Sequence, residues 1–112
     1  MSTFSLVTYG LNEEKNIDIF IKKSINFLSQ VSEDFEIIYL DDGSTDSSEN
    51  IIKELQLKYN FIKFYKNEKN MGVGYCFNKV IKLTNKEFIV HQTVDWSYDI
   101  YAFIKHIDLL KN

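Results

Sequence analysis

Residues 36–46 read EIIYLDDGSTD. Ile37 to Leu40 form a short, largely apolar run that meets two adjacent acids, Asp41 and Asp42, and then Gly43 and a group of hydroxyl residues. A run of this length bounded by an Asp-Gly signal reads as a buried strand ending in a turn. Turn chemistry accounts for Gly43, Ser44 and Asp46. It does not account for paired acids behind IIYL, because each carboxylate disfavours ionisation of the other. The pair therefore needs a reason beyond the turn.

Working outward, the chain alternates in period. Downstream, Asp46 precedes SSENIIKELQLKY, with Glu49 three residues on as in a capping box. Ile51, Ile52, Leu55 and Tyr59 share a face of that helix. FIKFYK, 61–66, reads as a strand. NEKNMGVG then leads into a helix with Cys76, Phe77, Val80 and Ile81 on one side. EFIVHQ, 87–92, is a fourth strand. A last helix, about 98–111, places Ile100, Phe103, Ile104 and Ile107 together. Upstream, FSLVTY, 4–9, is a strand, and 13–30 is a helix with Ile17, Phe20, Ile21, Ile25 and Leu28 on one face. Asn12 is its expected N-cap, and Glu13 and Glu14 suit the positive end of its dipole.

Strand followed by helix, four times, predicts an α/β fold: a Rossmann-like, mostly parallel sheet with helices on both faces. Ligands of such sheets bind beyond the carboxyl ends of the strands. Asn12, Glu13, Asp41, Asp42 and Asp95 all fall at that edge.

The 112 residues suit one domain, and 45% hydrophobic with 15% aromatic residues are enough for a core. A net charge of -3 argues against a broad grip on nucleic acid. The single cysteine, Cys76, excludes an internal disulfide and fits a reducing, cytoplasmic setting. Its place on an apolar helix face marks it as core. The start of the chain lacks the pattern of a secretion signal, and no window reaches the ~18 apolar residues of a membrane span.

Four stretches, SLVTYGLNEEKNI, EIIYLDDGSTDSS, NEKNMGVGYCFNKVIKLTNKEFIV and TVDWS, stand in one order and spacing over residues 4–99. Together they resemble the nucleotide-binding half of family 2 inverting glycosyltransferases, which have the GT-A fold. Within the family, TVDWS looks nearest to the polyprenyl-phosphate sugar transferases. The resemblance implies a donor that is a nucleoside-diphosphate sugar of UDP or GDP type, and an acceptor that is a saccharide or membrane-bound, which would place the protein peripherally at the inner membrane face.

It also assigns roles. Asp41 or Asp42 would accept the ring N–H of a base such as uracil, a strong bond when the acceptor is ionised. Thr8, Tyr9, Asn12 and Glu13 would line the same pocket, Tyr9 supplying a ring to stack on. Asn70 and Gly72 would face the nucleotide-sugar, where Gly72 and Gly74 open a helix whose N-terminus favours anions. Asp95 would hold Mg²⁺ or Mn²⁺ against the diphosphate. Lys69 would lie near that diphosphate, whereas Lys66, Lys79, Lys82 and Lys86 read as solvated. Trp96 suits either a sugar contact or the core.

The chain departs from the family at three points. Thr93 stands where the Asp-x-Asp metal motif has its first acid. Tyr9-Gly10-Leu11-Asn12-Glu13 stands where Pro-x-Tyr-Asn-Glu is usual. The family's later half, which supplies acceptor site and general base, has no counterpart, so no catalytic base is assigned. The chain is expected to be a fragment or truncated form of a longer glycosyltransferase, with apolar surface that drives self-association. A non-catalytic relative, kept as a binding or assembly module, is the alternative. A receiver-type signalling domain would need an acid after its third strand, where this chain has YKNEK.

Overall fold

A computed structural model describes residues 2–100. The elements follow in the order β1 (Phe4–Gly10), α1 (Ile17–Val31), β2 (Phe35–Asp41), α2 (Ser48–Lys58), β3 (Ile62–Lys66), α3 (Val73–Lys82) and β4 (Phe88–His91). The helix expected from 98 finds no support at 98–100, which are not helical, and the rest of it lies outside the described residues.

The four strands form one parallel sheet in the order β3-β2-β1-β4. Its centre is buried on both sides, which is why IIYL is continuously apolar and does not alternate. Leu6, Ile37 and Tyr39 pack with Phe20, Ile21, Phe27 and Leu28 of α1. Val7, Ile38 and Leu40 pack on the other face with Cys76 and Val80 of α3. The chain steps outward from β1 to β3 and then returns to place β4 on the far side of β1. The order therefore reverses beside β1, and crevices for ligands form at such reversals.

Two helix starts differ from expectation. α1 begins at Ile17, with Asn16 at the N-cap position, and Asn12 instead has φ 56°. The residues expected to open this helix are committed elsewhere. Asn12 Oδ1 accepts from the backbone N–H of Thr45 (2.8 Å) and Asp46 (3.3 Å). Glu13 N–H donates to Ser48 Oγ at 3.1 Å and Glu14 N–H to Asp46 Oδ2 at 3.2 Å. The loops after β1 and β2 are thus laced together.

The capping box does not form either. Asp46 Oδ1 accepts from Ser48 N–H at 2.9 Å, but Glu49 turns to Lys53 (2.7 Å) and Lys66 (2.6 Å). Two lysines offer Glu49 more than one backbone N–H already bonded to Asn12. Phe77, expected on the apolar side of α3, is 41% exposed.

Candidate functional site

The laced loops frame one end of the sheet. There a cavity of about 260 Å³ is bounded by Tyr9, Glu13, Asp42, Asn70 and Gly72, together with Gly10, Leu11 and Val73. Five predicted residues therefore meet at one place. Thr8 and Asp41 do not line it. Thr8 is fully buried on the α1 side, where its hydroxyl has no partner. Asn12 also lies off the cavity, its side chain spent on the 44–46 loop.

The two acids of the opening stretch separate because successive residues of an extended chain point to opposite faces. Asp41 is wholly buried and closes its own turn: its carboxylate accepts from Ser44 N–H at 2.9 Å and from the Ser44 hydroxyl. Asp42 turns toward α3 and the loop before it. Its Oδ1 accepts from Asn67 Nδ2 and from Met71 N–H, both at 2.8 Å, and its Oδ2 from Gly72 N–H at 3.1 Å. Burial opposes the charge on Asp42, but these donors and the Cys76 thiol outweigh it, holding the carboxyl below its ordinary range.

Close backbone contact holds this wall in place. A Cβ on Gly43, at φ +85°, would sit 2.7 Å from the Lys69 carbonyl carbon and 2.8 Å from Asn70 N. Gly72 needs its φ of +94° but has open space around it, so close packing within the protein is not its reason. Asn67 is the residue that sequence reasoning missed. It is buried, and between its bond to Asp42 and one from Lys79 Nζ to its Oδ1 at 2.8 Å it ties the cavity to α3. Its only signal was an asparagine just past a strand end. Lys79 is accordingly not a free solvated lysine; nor is Lys66, paired with Glu49, or Lys86, paired with Asp34 at 2.9 Å. Lys69 borders the adjoining concavity with Lys66 and Lys79.

On the β4 side, the Tyr9 ring stacks on His91, with centroids 5.4 Å apart and 14° between planes. Phe77 and Tyr98 meet His91 edge-on at 5.5 and 5.6 Å. Burial pushes the imidazole below its ordinary value and so favours the neutral ring. Cys76 has no marks of a nucleophile: burial and the Asp42 carboxylate push its thiol up to about 11.

The TVDWS loop follows β4. Val94 packs over Gly10, where an added Cβ would meet Val94 Cγ2 at 3.0 Å, so the loop adjoins the end of β1. Asp95 is exposed, and its Oδ1 accepts from the hydroxyls of Thr93 (2.8 Å) and Ser97. Those hydroxyls hold its carboxyl below the ordinary range. Trp96 faces the core: its ring meets Phe27 edge-on at 6.3 Å and its Nε1 donates to Ser24 Oγ at 3.3 Å. Gln92, fully buried and also missed, fixes the loop by donating to the Tyr98 carbonyl (2.8 Å) and accepting from Thr93 N–H (2.9 Å) and Tyr98 N–H (3.1 Å). Among the described residues, no three His, Cys, Asp or Glu side chains converge as a metal site would require. A lone ionised Asp95 fits a cation only if a ligand supplies the other oxygens, as a diphosphate does for Mg²⁺. No helix among the described residues is long and apolar enough to cross a membrane.

Comparison with known proteins gives consistent results. The family model described as "Glycosyl transferase family 2" matches residues 5–112. A Methanococcus voltae protein, dolichyl N-acetyl-alpha-D-glucosaminyl phosphate 3-beta-D-2,3-diacetamido-2,3-dideoxy-beta-D-glucuronosyltransferase, is 40% identical over 92 residues, which is 80% of this chain and 28% of that protein. Staphylococcus aureus TarS, solved in complex with UDP-GlcNAc, superposes with a TM-score of 0.69 at 29% identity, covering 83% of this chain and 26% of that one. The mannosyltransferase PcManGT of Pyrobaculum calidifontis, solved with GDP-Man and Mn²⁺, superposes with a TM-score of 0.72 at 15% identity, covering 82% and 27%. The chain thus spans about a quarter of the length of these proteins, and the expected GT-A-type parallel architecture stands.

Proposed function

The chain belongs to glycosyl transferase family 2, and from that premise we propose that it forms the donor-binding part of an enzyme that moves a sugar from a nucleoside diphosphate with inversion. The observation that carries this reading is Asp42: an ionised carboxylate, buried by donors, on the wall of a cavity where β1 and β2 end. A base entering there would give its ring N–H to Asp42 and lie near the Tyr9 ring, with ribose toward Glu13. The first turn of α3, from Val73 on, would present to the phosphates backbone N–H groups that no carbonyl of the helix takes.

Asp95 would hold a divalent cation together with diphosphate oxygens, and such an ion supplies positive charge to a leaving diphosphate. Thr93 bonds Asp95 and takes no carboxylate's place, so the chain's own contribution to that ion is one acid. The acceptor hydroxyl attacks the anomeric carbon as the bond to the diphosphate breaks; no described residue is assigned as the base that takes its proton. No described residue is assigned to an acceptor site, and the chain spans about a quarter of the length of the relatives it matches. The Methanococcus voltae relative, named for a dolichyl-linked substrate, supports a saccharide acceptor on a lipid carrier and a peripheral place on the cytoplasmic membrane face.

Saturation-transfer NMR of the chain with UDP-GlcNAc and with GDP-Man tests the reading. Saturation of base and ribose protons by at least one donor is the expected result; none from either at millimolar concentration would defeat it. A second reading, a module that binds the donor without transfer, is favoured by Thr93. It is separated from the first by whether a chain including the remaining length releases nucleoside diphosphate when an acceptor is added.

A further inference from the structure

We propose that the cavity selects a base with a single ring N–H, uracil, over guanine, and that Asn67 sets this selectivity; the inference rests on the cavity being a nucleotide site. An ionised carboxylate offers about four acceptor positions. At Asp42, Oδ1 is filled by two donors, Asn67 Nδ2 and Met71 N–H, each at 2.8 Å. Oδ2 already takes Gly72 N–H at 3.1 Å. At most one strong acceptor position remains, and it is on Oδ2.

The arrangement is not free to relax. Asp42 is 6% exposed and Asn67 4%. The orientation of the Asn67 amide follows from its neighbours, because Lys79 Nζ donates to Asn67 Oδ1 at 2.8 Å and an ammonium cannot accept. The Nδ2 group must therefore face Asp42, which keeps Oδ1 saturated.

Uracil presents one donor, N3–H, between two carbonyls, and one remaining acceptor position satisfies it. Guanine presents N1–H and the N2 amino group side by side, a pair that matches a carboxylate with both oxygens open. Here its second N–H would meet an oxygen that two donors already occupy. A desolvated donor left without a partner costs more than an ordinary hydrogen bond gains.

The test titrates UDP, 3-methyl-UDP and GDP into this chain in one Mn²⁺-containing buffer. Ribose and diphosphate are common to the three, so differences belong to the base. UDP is expected to bind about tenfold tighter than either of the others. If 3-methyl-UDP, which lacks the N3 proton, binds within twofold of UDP, or if GDP binds as tightly as UDP, the base assignment falls while the nucleotide reading stands. If none of the three binds at millimolar concentration, the nucleotide reading falls and this inference with it.

Discussion

Asp41 and Asp42 are neighbours in sequence, yet one locks a turn and the other walls a cavity. Their position at the end of a strand was legible, because a buried run followed by Asp-Gly has few other readings. Which acid faces the cavity was not, because that depends on where α3 packs and on Asn67, 25 residues away from Asp42. Gly43 belongs to the same scale. Replacing it with Ala forces a side chain into φ +85° and within 2.7 Å of backbone, and is expected to cost about 2 kcal/mol or more in urea denaturation. His91 gives a pH signature. Burial lowers its pKa from the ordinary 6.5, so the unfolded chain binds the proton first. Its contribution to stability is present above that value and is lost as pH falls through the window below it. The urea midpoint should therefore drop as pH falls below the ordinary value of 6.5, and His91→Gln should reduce that drop; an unchanged drop would remove His91 as its source.

At the scale of elements, helices and strands were legible where their apolar periodicity is strong. Their starts were not. Asn12, Glu13 and Glu14 have the composition of a helix N-terminus, but their polar groups bond the loop after β2, which lies more than 30 residues on. Local rules cannot see a partner so distant, and tertiary bonds displaced the start of α1 to Ile17. Asn12→Ala removes the acceptor of two backbone N–H groups and disfavours a positive φ, and should cost about 1–2 kcal/mol without moving the helices in far-UV circular dichroism. Phe27 and Trp96 show the same limit from the core side. The sequence reading left Trp96 open between sugar and core, and only the fold brings it to Phe27. Phe27→Ala opens a void in the buried face of α1 and should cost about 3–5 kcal/mol by chemical denaturation.

For the whole molecule, the alternation of strands and helices was enough to predict a parallel sheet with its site at the carboxyl edge. The order β3-β2-β1-β4 was not legible, since nothing local says on which side of β1 the last strand falls. That order puts β4 at an edge, with Phe88, Ile89, Phe77 and Tyr98 each 41–50% exposed. Apolar surface of this kind beside an open strand edge favours association. Light scattering of the 112-residue chain should show mass rising with concentration, and Ile89→Lys should suppress the rise; a monodisperse monomer at high concentration would contradict it. The central claim is that the donor nucleotide sits against Asp42 and not Asp41. Calorimetric titration of UDP with Mn²⁺ into the wild type, Asp42→Ala and Asp41→Asn tests it most directly, with the fold of each variant checked by circular dichroism. The account predicts that Asp42→Ala abolishes measurable binding while Asp41→Asn, though less stable, still binds. Unchanged affinity in a folded Asp42→Ala would contradict it.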